Sequence, residues 1–315
     1  MSAASTSPSS ASLQPVPSRA GRGRRWSALT QAPWGYLVPA VAVLGALSIY
    51  PLIQLVRMAL SDVGPTTVVG PWEFTGLTNL KDVWNDRLFR ESFRATAYFT
   101  VVLLIIDLVI GYIAAAMLSS TSSRAASLTL RVMVFVWALP PLVSGSVWKF
   151  LLAGNGLVNE ILGLVGIGPV DWLSSPDLAL LSVSLVAAWA SLPFSILIIH
   201  GGMLALPRDV LEAAQLDGAG FLKASRFVIL PLMKPTLTVL TVLIILYAFR
   251  SFDFVYVMTL GGPGTETTTL PYLAYDTAFK TFEFGTAAAI AVISMLVIVV
   301  VSIPYVISVR REAAL

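Results

Sequence analysis

Asp107, Arg250 and Asp253 stand inside long apolar stretches of this 315-residue chain. A charge at the centre of a bilayer costs about 2.5–3.5 kcal/mol on insertion scales, so each must face other helices or water. Arg250 and Asp253 are three residues apart, on one face of a helix. Three readings stay open for them: a mutually satisfied pair that fixes packing, the lining of a polar path, or contact with a partner chain. Asp107, alone in its stretch, reads as structural or water-facing rather than as a proton carrier. Trp189, Ser191, Phe194 and Ser195, and later Phe252, Tyr256 and Thr259, mix aromatic faces with hydroxyls. Such sets suit a polyhydroxylated ligand, because rings meet C–H surfaces while polar groups meet hydroxyls. Ordinary packing is the competing reading for each of these residues. Covalent chemistry has little to work with. There is no Cys, His200 is the single His, and no nucleophile–base or metal constellation stands out.

The elements that must position these residues are apolar. Hydrophobic residues make up 57% of the chain and charged residues 12%, against about 25% charged in soluble domains. Mean hydropathy is +0.83. The chain is an integral membrane protein in a single helical bundle. A pI near 9.2 does not signal nucleic acid, because the basic residues lie at the edges of apolar runs rather than in one patch. Residues 1–30 are rich in Ser, Ala, Pro and Arg and lack the apolar core of a secretory signal. They read as a disordered cytoplasmic tail, with Arg22, Arg24 and Arg25 anchoring the orientation of the segment that follows.

A spanning helix needs about 20 mostly apolar residues. Six runs qualify: 26–56, 93–118, 130–152, 178–207, 235–260 and 284–309. An even number puts both termini on one side. The N-tail, the loops after runs two and four, and the C-tail hold twelve Lys and Arg, against seven in the other loops and their flanks. The excess places the termini and the loop at 206–233 in the cytoplasm. The opposite loops include a short helix near 157–162 and the helix stop Gly261-Gly262-Pro263-Gly264. Gly111 and Ala114 to Ala116 on run two, and Ala287 to Ala289 on run six, suit close helix crossings. His200 reads as a hydrogen-bonded or interfacial side chain. Trp137, Trp148 and Trp172 read as belt or loop anchors.

The loop at 206–233 is charged and too elaborate merely to reverse the chain. Pro207 suits a first helical turn. Val210, Leu211 and Ala214 then follow at helical spacing, and Arg208 can pair with Glu212 four residues on. Gly218 stands where a left-handed cap would end the helix. A second short helix is expected over 220–228, with Pro231 and Pro235 starting the fifth span. The result is a knob of about 20 residues for docking to something in the aqueous phase.

This loop resembles the EAA loop of ABC importer permeases. Glu212-Ala213-Ala214, then Asp217-Gly218, Val228, Leu230 and Pro231 match its residues and fixed spacing. Ser225 departs from it, where many relatives have an aromatic residue. A second run, Phe252-Asp253-Phe254-Val255-Tyr256-Val257-Met258-Thr259-Leu260-Gly261-Gly262-Pro263, is similar to one in the carbohydrate permeases. Gly76-Leu77-Thr78-Asn79-Leu80 and Phe284-Gly285-Thr286-Ala287 add to it. The similarity covers about residues 35–309 and is strongest to the maltose- and glycerol-phosphate-type permeases.

The resemblance implies an all-α, six-helix, MalF-like type I ABC importer permease over 31–315, multi-pass in the cell inner membrane. It implies a second, MalG-like permease, two ABC ATPase subunits that bind ATP and Mg, an extracytoplasmic solute-binding protein and a sugar as cargo. Glu212 and Gly218 would carry coupling to the ATPase. No G-x-x-x-x-G-K-[ST] phosphate loop occurs, so nucleotide would bind elsewhere than on this chain. The alternatives are an importer of a non-sugar solute, a secondary transporter using Asp107 and Asp253, and, least supported, an intramembrane enzyme.

Overall fold

A computed structural model describes residues 34–120 and 124–312, with side chains for 37–120 and 124–303. The expected tail at 1–30, with its Arg cluster, lies outside the described residues. The chain divides into two compact units, Met1–Leu52 and Ile53–Leu315. The described part of the first is the start of helix α1 (Trp34–Ala59), which contains Pro39 and Pro51. Its apolar side chains, Leu44 and Leu47 among them, are exposed, as a lipid-facing segment requires.

The second unit is built around α3 (Arg87–Ser119) and α7 (Ala179–Leu204). On α3, Gly111, Ala115 and Ala116 are buried. A Cβ at Gly111 would already lie 3.3 Å from Ile199 and 3.6 Å from the Ser195 Cβ, so the small residue sets how closely α3 and α7 approach. Phe99, Leu103, Val183, Ala187 and Ile199 close a core with Leu240 and Ile244 of α10 (Lys234–Arg250). A second cluster joins Ala59, Val83 and Phe89 to Ala288, Ala289 and Ile290 of α13 (Phe284–Glu312). The small-residue stripes on runs two and six thus sit at helix crossings.

Among the described residues, four helices are long and apolar enough to cross a membrane, or up to six spans if each of two bent pairs counts as one. The third and fifth runs are therefore not continuous helices. In the third, α4 (Arg124–Trp137) and α5 (Pro141–Leu151) meet at 98°. Pro140 and Pro141 cause the break. Proline supplies no N–H, and the residue before it is driven out of the helical region; Pro140 is extended at ψ 132°. The fifth run ends its helix at Arg250. Ser251 is extended, and a separate α11 (Asp253–Met258) follows.

Two pieces of the remote loops hold each other. A two-residue antiparallel ladder pairs β1 (Ser61–Asp62) with β2 (Glu73–Phe74), a departure from an all-helical expectation. It is followed by α2 (Thr78–Asn85). The Asn79 amide donates to the carbonyls of Ala59 and Ser61, and the Gly285 N–H donates to Val63. A Cβ at Gly285 would lie 2.8 Å from the Ser61 carbonyl, so glycine is required there. The short helix expected near 157–162 is α6 (Leu157–Leu164). Helix α12 (Leu270–Phe279) caps the bundle; its first N–H, at Leu270, donates to buried Thr96 of α3 at 2.8 Å.

Candidate functional site

The knob is made by local rules. Helix α8 (Arg208–Leu216) follows Pro207, and Gly218 takes φ +72°. The Gly218 N–H donates to Gln215 and the Ala219 N–H to Ala214, the paired bonds of a left-handed helix stop. The second helix, α9 (Phe221–Leu232), is longer than expected and runs through Pro231, so Pro231 does not open the fifth span. Its middle, Ser225–Ile229, is a wide π turn. That widening lies where the Pro231 ring would crowd the Phe227 carbonyl four residues back. A 75° bend then leads into α10, which carries Pro235 in its first turn. Arg208 and Glu212 do not pair among the described residues. Arg208 instead lines a groove of about 570 Å³ between the knob and the ends of α3 and α7. Glu212, Ala213 and Asp217 are exposed, and only Ala214 of α8 is buried. Leu216 is 89% exposed and Leu222 80%. Leu230 and Pro231 are also uncovered. Above the groove, Ser119 and the Nδ1 of His200 share a 2.9 Å hydrogen bond that ties α3 to α7.

The second site is a cleft of about 390 Å³ between α7 and α10, closed by the α4–α5 elbow and the start of α11. Five of the nine residues expected on a cargo path line it: Ser191, Phe194, Ser195, Arg250 and Asp253. Trp137 lines it too and stacks on Phe194, with centroids 5.5 Å apart. Trp137 is thus a cleft residue. Tyr247 completes the polar wall. Neither was singled out from sequence for this place. The usable signal was the Pro140-Pro141 break, which turns the end of α4 inward. Tyr247 had the spacing: three residues before Arg250, it shares that helix face.

Arg250 and Asp253 form no ion pair among the described residues. The helix breaks between them, so the one-face geometry expected of a continuous span does not exist. Both instead line the cleft. Asp107 lies one layer deeper, fully buried on a π turn of α3. Its carboxylate accepts the Ser191 hydroxyl at 2.8 Å. It stands directly behind a cleft residue.

The other four expected residues lie elsewhere. Trp189 packs edge-on against Trp148 at 5.4 Å. Phe252 and Tyr256 stack on each other and meet Tyr275 tilted and edge-on, an aromatic cluster that continues to Tyr272 and Phe279. Thr259 shares a 2.7 Å hydrogen bond with Thr267 and so braces the Gly261-Gly262-Pro263-Gly264 turn. Gly261 has φ +87°, and a Cβ there would lie 2.6 Å from the Tyr272 ring. Tyr272 donates to the Leu260 carbonyl. The Trp172 indole donates to Asn159, which also bonds Val170 and Ala153; that tryptophan is a loop anchor as expected.

The family model described as binding-protein-dependent transport system inner membrane component matches residues 107–313. The chain is 33% identical, over 93% of its length and 94% of the relative, to a probable ABC transporter permease protein, y4oQ, of Sinorhizobium fredii. It is 30% identical, over 87% of its length and 93% of the relative, to the trehalose/maltose transport system permease protein MalF of Thermococcus litoralis. Its backbone superposes on a chain of a bacterial ABC transporter that imports the acidic polysaccharide alginate, with a TM-score of 0.77 at 18% identity. That match covers 91% of this chain and 98% of the other. The fold is that of a type I importer permease.

Proposed function

The chain belongs to the binding-protein-dependent transport system inner membrane components, and on that premise we propose that it is the permease subunit of an ATP-driven sugar importer. The observation that carries the sugar is the full-length similarity to permeases named for trehalose and maltose, and for lactose at 28% identity. The cleft supports it, since it offers an aromatic pair, Trp137 and Phe194, beside the hydroxyls of Ser191 and Ser195.

In this reading the cleft is part of the cargo path and works by alternating access. A solute-binding protein delivers sugar on the side away from the knob, and a second permease completes the path. The excess of Lys and Arg near the knob and termini puts them in the cytoplasm. ATP and Mg bind on two separate ATPase subunits, whose closure moves this chain through the knob. The knob suits that role physically. Its exposed apolar side chains, Leu216 and Leu222, have nothing to cover them among the described residues, and its own helix stop closes its first helix.

The test is co-purification of the assembled complex with sugar-stimulated ATPase activity, comparing wild type with Glu212→Ala and Gly218→Pro. An ATPase that co-purifies and is uncoupled or released by both changes is the expected result. A chain that purifies alone, moves solute down an ion gradient and ignores both changes would make it a secondary transporter instead.

A further inference from the structure

Ser191 has one proton and two lone pairs to offer. The proton is spent inside the protein: Oγ donates to Asp107 Oδ2 at 2.8 Å, and also leans on the Ala188 carbonyl at 3.2 Å. What Ser191 turns toward the cleft is therefore an acceptor. Two further oxygens nearby, Asp107 Oδ1 and Ser195 Oγ, are fully buried, and the Ser195 hydroxyl also acts on the Asp107 carboxyl group. Ser195 lines the same cleft. Asp107 occupies a π turn, a feature that re-aims helix side chains, and Gly111 one turn on lets α3 press against Ser195. The charged groups around the cleft are Arg250 and Asp253, of opposite sign, on its lining, and Asp107 behind its wall. A charge behind a low-dielectric wall projects its field into the adjoining aqueous space.

We propose that Asp107 is a positioning residue that makes this wall of the cleft an electronegative hydrogen-bond acceptor, so that the importer selects cargo presenting hydroxyl or ammonium donors there and rejects cargo presenting a carboxylate, sulfate or phosphate. The proposal rests on the cleft being part of the cargo path. It assigns the cargo to neutral or amino sugars rather than acidic ones.

The chain has no cysteine, so a single introduced thiol reports its own site. S191C and S195C, each in the assembled importer in membrane vesicles, are reacted with a cationic aminoethyl and an anionic sulfonatoethyl methanethiosulfonate. Rates are normalised to free cysteine. At S191C the cationic reagent is expected to react about tenfold faster, the bias of one nearby charge. The bias should collapse in S191C/D107N and persist in S191C/D253N. A thiol that reacts with a bias indifferent to D107N overturns the proposal and leaves the cargo path standing. If D107N does not assemble, S191C/D253N decides, since a bias lost there belongs to Asp253. If neither S191C nor S195C reacts in the assembled importer, the cleft is not on an aqueous path, and the reading beneath the proposal falls with it.

Discussion

The knob and the cleft are built in opposite ways. The knob, α8 and α9, is held by contacts among close neighbours in sequence: the Gly218 and Ala219 N–H groups bond within five residues, and only Ala214 of α8 is buried. The cleft is assembled from residues far apart. Asp107 and Ser191 meet across 84 positions, and Trp137 stacks on Phe194. A region stabilised locally can be altered without loss of the fold, so its substitutions should act on function. A region stabilised by distant packing should lose stability first.

The largest effect is expected at Gly111, where a leucine would push α3 away from Ile199 and Ser195. Overpacking of this kind costs about 1–3 kcal/mol, and Gly111→Leu should sit at the upper end, read as a lower thermal midpoint of the purified complex. Ser191→Ala comes next. It strips the buried Asp107 carboxylate of its Ser191 hydrogen bond, a loss of about 1–3 kcal/mol; an unchanged midpoint would show that water replaces the hydroxyl. In the knob, Gly218→Val forces a branched side chain to φ +72°, at about 1–2 kcal/mol. The damage should stay local: hydrogen exchange speeds up over 208–220 while the global midpoint holds. A fall in the midpoint would break the contrast between the two regions. Glu212→Ala should change stability by no more than about 0.5 kcal/mol and yet abolish sugar-stimulated ATP hydrolysis.

The smallest effect lies in neither region. The Asp276 carboxylate, 2.6 Å from Lys280, holds that ammonium above the ordinary lysine value, with the Tyr272 hydroxyl assisting. A raised folded value means that the contribution is complete below the unfolded lysine range. It fades as pH climbs through the higher folded value. Asp276→Asn should therefore lower the thermal midpoint slightly at pH 8, and the difference from wild type should shrink under strongly alkaline conditions.

Legibility in the sequence follows the same division. Pro207, Gly218 and the helical spacing of Val210, Leu211 and Ala214 gave the knob, because caps and turns act over a few residues. Its second helix runs past the expected stop to Leu232, since the compensating π turn at Ser225–Ile229 has no signal in the residues themselves. Similarly, apolar length located the spans but not their breaks, even though Pro140-Pro141 marks one of them. Of the three readings open for Arg250 and Asp253, the mutual pair needs a continuous helix, and the extended Ser251 removes that geometry.

By itself the sequence determined that the chain is a membrane bundle with a helix-turn-helix knob, because hydropathy, capping and fixed motif spacing are properties of short segments. The tertiary structure alone decided which polar residues share a cleft, that Trp137 belongs to it, and that Asp107 spends its carboxylate on Ser191. Those meetings depend on how closely α3 approaches α7 and on where α4 turns. Such distances are set by the packing of many side chains at once, and no single stretch of sequence encodes them.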